Sequence, residues 1–363
     1  MDISDLLIMT KERGASDLHL SAGTLPRLRI HGKLEKVDDN ILTKENIHNM
    51  LYEILTDEHK ARFEENKELD FSIELKEVGR FRVNAFYQRR GEGASFRLIP
   101  ENIKSIKELG LPAIVENLAR SERGLILVTG PTGSGKTTTL AAMIDLINQE
   151  QYNHIISIED PIEFVHEDKN CLVNQREVGS HTNSFSIALR SALREDPDII
   201  LVGEMRDLET ISMALTAAET GHVVFATLHT NSAPQTIDRI VDVFPPHQQA
   251  QIRTQLSEAL RGVISQTLIP LTDGTGRVCA AEIMIATSAI KNLIREGKTQ
   301  QMPSIIQTSA KDGMQSLDQA LRNLLMQGKI APEEAKKRAI DKGSFGQMGG
   351  GDLYDGAKKY YFR

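Results

Sequence analysis

The sequence has few cysteines. Its 363 residues include only two, Cys171 and Cys279, which stand far apart, and no CxxC pair occurs. Zinc sites and disulfide frameworks need several cysteines at short, regular spacings, so the sequence contains neither. A reducing compartment is the simplest interpretation of this composition.

Long apolar runs and a basic excess are also missing. No stretch approaches the ~20 apolar residues that a membrane-spanning helix needs. The N-terminal stretch MDISDLLIMTKERGAS is acidic at its start and has no long apolar run, so it is not a signal peptide. The chain has 43 Lys and Arg against 50 Asp and Glu, and the net charge of −7 disfavours a dedicated nucleic-acid-binding protein. We therefore predict a cytoplasmic protein.

The hydrophobic patterning divides the chain into two parts, and 40.4 kDa is enough for two domains. Before about residue 100, segments such as GRFRVNAFYQ alternate apolar and polar residues, as in a half-exposed antiparallel sheet. Two helices are expected over 43–66. This pattern predicts an N-terminal α+β domain over 1–100, and a linker over 101–120 that leads into a short helix.

From about residue 124 the strands become dense apolar runs. GLILVTG, NHIISIED, PDIILVGE and HVVFATLHT each lead into Gly, Asp, Glu or His and are separated by helical segments. Such runs are typical of buried parallel strands that carry chemistry at their carboxyl ends. We predict an α/β domain over 121–345 and a mobile, glycine-rich tail over 346–363. Further helices are expected at 246–260, 288–296, 316–327 and 332–341.

The segment GPTGSGKTT has the pattern of a phosphate-binding loop between a strand and a helix. Its glycines let the backbone turn N–H groups toward phosphate oxygens. Lys136 supplies a charge to the β- and γ-phosphates, and the hydroxyl of Thr137 can ligate Mg²⁺. A glycine-rich turn that binds nothing is the alternative, and the flanking strand and helix disfavour it. ATP and Mg²⁺ are the expected ligands, and the predicted nucleotide-binding residues are Gly130, Pro131, Thr132, Gly133, Ser134, Gly135, Lys136, Thr137 and Thr138.

Acidic residues follow two of the apolar strands. Glu204 stands where a Walker B acid belongs, but Gly203 occupies the position at which many P-loop enzymes have a metal-binding Asp. Glu159, Asp160 and Glu163, in IISIEDPIEF, could compensate. We predict Glu204 and Glu163 as catalytic carboxylates that orient or deprotonate the attacking water, and Glu204 as an additional Mg²⁺ ligand, directly or through water. The alternative is that these acids cap a helix or are solvated.

Two histidines border the strand in GHVVFATLHT. His229, at its carboxyl end, could hydrogen-bond to the γ-phosphate and report its loss, and we predict it as a catalytic residue. His222, before the strand, is as well explained by a structural role. Metal ligation is disfavoured for both because no partner stands at ligand spacing.

Arginines can neutralise the charge that develops in phosphoryl transfer, and ring-forming ATPases often take one from a neighbouring subunit. Alternation places Arg80 and Arg82 on one face of their strand, and Arg97 lies in the next strand. Arg194 and Arg206 flank the strand that precedes Glu204. We predict catalytic roles for the first three and for Arg194; surface charge that serves solubility is the alternative.

These segments resemble, in this order, the motifs of the type II/type IV secretion ATPases. The motifs are a Walker A loop, an Asp box (ISIEDPIE), an atypical Walker B motif (IILVGEMRD) and a His box (GHVVFATLHT). The resemblance extends up to about residue 345. It implies a homohexamer in which a PAS-like N-terminal domain packs on a RecA-like domain, and in which arginines of the N-terminal domain reach the nucleotide.

Two features indicate a branch of this superfamily. Assembly and secretion ATPases usually carry an extra N-terminal region and a tetracysteine zinc motif, whereas this chain begins close to GASDLHLSAG and lacks those cysteines. The segment SAIKNLIREGK is similar to the AIRNLIRE signature of the pilus retraction ATPases, the PilT family. Lys291 replaces an arginine in it, which conserves the charge but not the bidentate geometry.

On a helix, this segment would have an apolar face and a basic face. From spacing alone, an ordinary amphipathic surface helix is the better interpretation; the resemblance favours a partner-binding helix instead. The predicted partner-binding residues are Ile290, Lys291, Asn292, Leu293, Ile294, Arg295 and Glu296.

The resemblance implies an ATP-hydrolysing hexameric motor that extracts pilins from the fibre base, so that type IV pili retract and drive twitching motility. Its expected location is the cytoplasmic face of the inner membrane, peripheral to it. The expected partners are an inner-membrane pilus platform protein and a paralogous retraction ATPase, without stable nucleic acid. The alternatives are a pilus-assembly or type II secretion motor, a DNA or RNA translocase, and a nucleotide-gated regulator.

Overall fold

A computed structural model describes residues 2–30, 32–76, 78–99 and 102–345 of the chain. The chain forms two compact units. The first runs from Met1 to Asn102 and includes Pro161–Val165; the second comprises Ile103–Asp160 and the chain from His166 onward. The tail 346–363, which the sequence predicts to be mobile, lies outside the described residues.

The N-terminal unit contains a six-stranded antiparallel sheet in the order β3-β2-β1-β6-β5-β4. Its strands are β1 (Asp17–Ser21), β2 (Arg27–Ile30), β3 (Lys33–Lys36), β4 (Glu68–Leu75), β5 (Gly79–Gln88) and β6 (Gly91–Leu98). Its helices are α1 (Ile3–Glu12), α2 (Lys44–Ile54) and α3 (Asp57–Asn66). The two helices expected over 43–66 are α2 and α3.

One face of this sheet forms the core of the unit. Along β5, Phe81, Val83 and Ala85 are fully buried, whereas Arg80 and Arg82, which point to the other face, are half-buried. This is the period of two that the sequence predicts. The arginines are therefore held on the opposite face by the burial of their apolar neighbours.

The second unit contains a seven-stranded sheet in the order β13-β12-β7-β11-β10-β8-β9, in which only the pairing of β12 with β13 is antiparallel. Its strands are β7 (Gly124–Thr129), β8 (His154–Glu159), β9 (Leu172–Glu177), β10 (Ile199–Val202), β11 (Val223–Leu228), β12 (Leu260–Pro270) and β13 (Arg277–Ile285). The expected mixed α/β class with a parallel sheet is confirmed.

Ten α-helices of this unit lie within the described residues. They are α4 (Ile114–Ala119), α5 (Lys136–Glu150), α6 (Phe185–Ala192), α7 (Leu208–Glu219), α8 (Ala233–Asp242), α9 (Pro246–Ala259), α10 (Ser288–Glu296), α11 (Met302–Thr308), α12 (Leu317–Met326) and α13 (Pro332–Arg338). Short 3₁₀ turns occur at Thr299–Gln301, Ala310–Asp312 and Lys342–Phe345.

The central strands are buried on both faces. Along β7, Leu125 and Leu127 pack into one hydrophobic cluster, whereas Ile126 and Val128 pack into another. A strand that contributes to a core on each side must be apolar at every position, which explains the dense runs in the sequence. Because these strands are parallel, the segments that follow β7, β8, β10 and β11 lie at one edge of the sheet.

Two features of the second unit differ from the sequence-based expectation. The stretch 101–120 was expected to be a linker, but Ile106, Leu111 and Val115 are buried in the core of this unit. From Ile103 onward the expected linker is therefore packed structure. The hairpin of β12 and β13, which the sequence analysis did not single out, extends the sheet beyond β7.

Among the described residues, no helix is both long enough and apolar enough to cross a membrane.

Candidate active site

The loop between β7 and α5 has the backbone of a phosphate cradle. Gly130, Gly133 and Gly135 have φ angles of 144°, 75° and 90°, a region that favours glycine. A Cβ on Gly130 would lie 2.4 Å from the carbonyl oxygen of Gln266 and 2.5 Å from Oγ of Ser134. The loop can close in this conformation only with glycine at position 130.

The polar groups of the loop suit an anion. Lys136 opens α5 and donates from Nζ to the carbonyl oxygens of Gly130, at 2.9 Å, and Pro131, at 3.2 Å. Within the described residues, the buried hydroxyls of Thr129 and Ser134 have no hydrogen-bond partner. Helix N-termini attract anions through their unpaired N–H groups and their dipole. The loop thus gathers an ammonium group, a helix N-terminus and two hydroxyls where nucleotide phosphates would bind.

Glu204 lies at the same edge of the sheet, just after β10. Its Oε2 accepts a hydrogen bond from Nη2 of Arg206 at 2.7 Å, and its Oε1 is 3.3 Å from Nε2 of His229. His229 follows β11, the parallel neighbour of β10. The two strands end side by side, and this brings together residues that are far apart in sequence.

The surroundings of Glu204 keep it ionised. Burial raises the pKa of this carboxyl, but the hydrogen bond and charge of Arg206 and the charge of His229 lower it, and the net pKa lies below the ordinary value of 4.5. The carboxylate is therefore negative at neutral pH. It can accept a proton from water, as a general base must.

The structure explains why glycine precedes Glu204. A Cβ on Gly203 would lie 3.1 Å from the carbonyl oxygen of Ile158 and 3.2 Å from Cα of Glu159. An aspartate there would press against the end of β8. Glu159 itself is buried, and its Oε1 accepts hydrogen bonds from Ser157 at 2.7 Å and from Gln175 at 3.2 Å.

Two candidates lie at the opposite edge of the sheet. Arg194 precedes β10 and His222 precedes β11, whereas the phosphate-binding loop follows the carboxyl end of β7. Strand β10 separates Arg194 from Glu204 of the same chain, and a catalytic role for Arg194 remains a prediction. Nδ1 of His222 lies 3.0 Å from the carbonyl oxygen of Ala217, near the end of α7. This contact gives His222 a structural role.

The remaining candidates belong to the N-terminal unit. Glu163 is exposed and lies in Pro161–Val165, the segment that groups with that unit. Arg82 and Arg97 face each other in the register of β5 and β6, and Arg80 shares their face. Their participation in catalysis remains a prediction.

The structure leaves fewer residues of the predicted partner-binding segment accessible to a partner. Ile290, Leu293 and Ile294 are buried in the core of the second unit, so their prediction as partner-binding residues is wrong. Arg295 donates to the carboxylate of Glu258 at 3.2 Å. The residues of the segment that remain accessible are Lys291, Asn292, Arg295 and Glu296.

Two polar residues that the sequence analysis did not identify support this edge of the sheet. The hydroxyl of Thr227 donates to the carbonyl oxygen of Gly203, and its own carbonyl accepts the N–H of Met205 at 3.0 Å. Glu282 of β13, whose pKa is raised by burial, accepts the N–H of Ala233 at 2.7 Å, at the start of α8. A polar residue inside an apolar strand run was the available signal for both.

No group of three or more His, Cys, Asp or Glu side chains in the described part of the chain could hold a metal ion by itself. Mg²⁺ in nucleotide sites is held largely by phosphate oxygens and water, and one or two protein ligands suffice. The hydroxyl of Thr137, in the first turn of α5, and the carboxylate of Glu204 fit that requirement.

Comparisons with known proteins agree with this geometry. The family described as type II/IV secretion system protein matches residues 2–337. The "Type IV pilus retractation ATPase PilT" of Pseudomonas aeruginosa is 58% identical over 339 residues, which are 93% of this chain and 98% of that protein. The "Twitching motility protein" of Neisseria gonorrhoeae is 55% identical over 314 residues, 86% of this chain and 84% of that protein. A crystal structure of the pilus retraction motor PilT with bound ADP is 50% identical, covers 95% of this chain and 98% of its own, and superposes with a TM-score of 0.89.

Proposed function

This chain belongs to the type II/IV secretion system proteins, in the PilT family of pilus retraction ATPases, and we propose that it is the motor that retracts type IV pili in its host. It is a P-loop ATPase, and the proposed work of ATP hydrolysis is the extraction of pilins from the fibre base, which drives twitching motility. The observation that carries the proposal is the identity to a retraction ATPase along nearly the whole of both chains.

The proposed hydrolytic step uses residues at the sheet edge. The N–H groups of the loop and Lys136 hold the phosphates. Glu204 orients a water molecule and takes its proton as the water oxygen attacks the γ-phosphorus and the bond to the bridging oxygen breaks. Mg²⁺, held by Thr137 and Glu204, would neutralise negative charge on the phosphates. His229, close to Glu204, is suited to report the loss of the γ-phosphate.

The proposed assembly is a homohexamer with a PAS-like N-terminal domain over 1–100 and a RecA-like domain over 121–345. In it, Arg80, Arg82 and Arg97 would reach a nucleotide and neutralise its transition-state charge. The register of Arg82 opposite Arg97 on one sheet face supports this role. Glu163 would supply a second carboxylate.

The proposed location is the cytoplasmic face of the inner membrane, where an inner-membrane platform protein and a paralogous ATPase are the proposed partners. The exposed side of α10, with Lys291, Asn292, Arg295 and Glu296, is the proposed contact surface for an acidic partner or a neighbouring subunit. Its charged residues suit a polar interface, and its apolar residues anchor the helix in the core.

Deletion of the gene in the native host tests this function. We expect more surface pili and no retraction, as seen in labelled fibres, and restoration by the wild-type gene but not by Lys136→Ala. A matched control is Lys169→Ala, which removes a surface ion pair with Asp145 at 2.6 Å and should restore retraction. Loss of pili would instead identify an assembly motor, and an unchanged count would reject a role in pilus dynamics.

A further inference from the structure

A row of charged side chains crosses the N-terminal sheet. Asp17 of β1 lies opposite Arg29 of β2 on one side and opposite Arg97 of β6 on the other, and Arg97 in turn lies opposite Arg82 of β5. Directly opposed residues of antiparallel strands project from the same face. This row therefore consists of three arginines and one carboxylate, all on one face of the sheet.

Asp17 is the buried member of this row, with 4% of its surface exposed. Its Oδ1 accepts a hydrogen bond from Nε of Arg97 at 2.9 Å, and its Oδ2 accepts one from Oγ of Ser16 at 2.8 Å. Nε of Arg29 lies 3.9 Å from Oδ2. Burial raises the pKa of Asp17, but the bonds from Ser16 and Arg97 outweigh it, so the net pKa lies below 3.8. The residue is thus a fixed anion.

The hydrogen bond to Asp17 holds Nε of Arg97 in place and leaves the two terminal nitrogens of the guanidinium facing solvent. The Arg97 side chain is 66% exposed, and in the described part of the chain only its Nε makes a hydrogen bond. The guanidinium is planar, so a bond at Nε sets the plane in which both terminal nitrogens lie. Those two nitrogens form the fork that binds phosphate oxygens in pairs.

The neighbouring Arg82 is held less firmly. Its Nη2 is 3.9 Å from Oδ1 of Asp70, beyond hydrogen-bonding distance, and Asp70 is 61% exposed. Contacts between exposed ionic groups constrain a long side chain weakly. Arg97 is therefore better oriented for an anion than Arg82.

We propose that Asp17 is a positioning residue that orients the guanidinium of Arg97 toward the transferring phosphoryl group. This inference rests on the proposed function, in which arginines of the N-terminal domain act on a nucleotide. In this role Asp17 acts through its hydrogen bond to Arg97 and does not itself bind the phosphoryl group. Without it, the long side chain of Arg97 samples many rotamers, and the terminal nitrogens reach the phosphate less often.

A double-mutant cycle on ATP hydrolysis by the full-length protein tests this role, with kcat and KM measured for Asp17→Ala, Arg97→Ala and the double variant. A misplacement of about 1 Å costs on the order of 100-fold, so Asp17→Ala should lower kcat roughly 10- to 100-fold. KM for ATP should change little. In the Arg97→Ala background, Asp17→Ala should have no further effect on kcat. Asp57→Ala, which removes an exposed carboxylate 3.5 Å from Lys60, is the control and should leave kcat unchanged.

Three results would contradict the inference. If Arg97→Ala lowers kcat but Asp17→Ala does not, Asp17 does not position Arg97 and the proposed function stands. If Asp17→Ala lowers kcat equally in both backgrounds, its role is structural. If Arg97→Ala leaves kcat unchanged, the proposed role of the arginine fails, and the inference fails with it.

A second variant covers the case in which Asp17→Ala does not fold. The amide oxygen of Asp17→Asn can still accept the hydrogen bond from Arg97 but carries no charge, so kcat should fall about three- to tenfold. This decrease should also vanish in the Arg97→Ala background. A decrease that persists there would overturn the inference.

Discussion

Glu204→Gln removes the charge of the proposed general base and retains the shape of the side chain. In the native site, one carboxylate oxygen accepts from Arg206 at 2.7 Å and the other lies 3.3 Å from His229. The amide of glutamine has only one oxygen, so it can accept from one of these groups and must turn its NH₂ group toward the other. The variant can hold a water molecule but cannot take its proton.

The expected effects on turnover, binding and stability differ. General base catalysis contributes about 100- to 10,000-fold, so kcat should fall by that factor, or roughly 3–5 kcal/mol of transition-state stabilisation. ATP affinity should persist, because the phosphate-binding loop and Lys136 are unchanged. The loss of folding stability should stay below about 1 kcal/mol, because the Arg206 side chain is 70% exposed and its ion pair is screened by solvent.

Phosphate release at saturating ATP measures the turnover, and a fluorescent nucleotide measures the binding. Glu209→Gln is the matched control: it neutralises a carboxylate that pairs with Arg190 at 2.6 Å on an exposed surface, and kcat should remain near the wild-type value. A Glu204→Gln protein that binds ATP and hydrolyses it at the wild-type rate would refute the assignment of the base.

Two further predictions concern pH. Arg206→Ala removes a hydrogen bond and a charge that lower the pKa of Glu204 while burial continues to raise it, so this pKa should rise and the acidic limb of kcat against pH should move to higher pH. A limb at the wild-type position would contradict this. Burial lowers the pKa of His166 to about 4 from 6.5, so the unfolded chain binds more protons between those values, and stability should fall as pH falls through this range. From pH 7.5 to pH 5 the contribution of His166 to this loss is about 2 kcal/mol, and His166→Gln should remove that contribution in denaturation measurements. Equal pH dependence in both proteins would show the assignment to be wrong.

The phosphate-binding loop and the parallel sheet were predictable because their signals are local. The loop consists of consecutive residues, and glycine at position 130 is required by its own conformation and close neighbours. The strands β7, β10 and β11 are apolar throughout because each is covered on both faces. A segment whose residue types are dictated by its own backbone conformation or burial can be interpreted without the rest of the chain.

The prediction of individual side chains was less complete. Glu204 and His229 were identified separately because each follows an apolar strand, but their contact depends on the adjacency of β10 and β11. Arg194 and His222 also flank these strands in sequence, but at their amino ends. The direction of the strands distinguishes Glu204 and His229, at the carboxyl ends, from Arg194 and His222, at the amino ends. The sequence alone was enough to make this distinction.

The sequence by itself determined the class of fold, the phosphate-binding loop and the strand ends at which chemistry is placed. Only the tertiary structure decided which distant residues meet: Asp17 holds Arg97 across 80 positions of sequence, and Glu204 lies beside His229. It also decided that Ile290 faces the core and that the imidazole of His166 is buried. The physical reason is that strand order, register and burial arise from the packing of whole elements against each other, whereas a local pattern specifies only the element in which a residue lies.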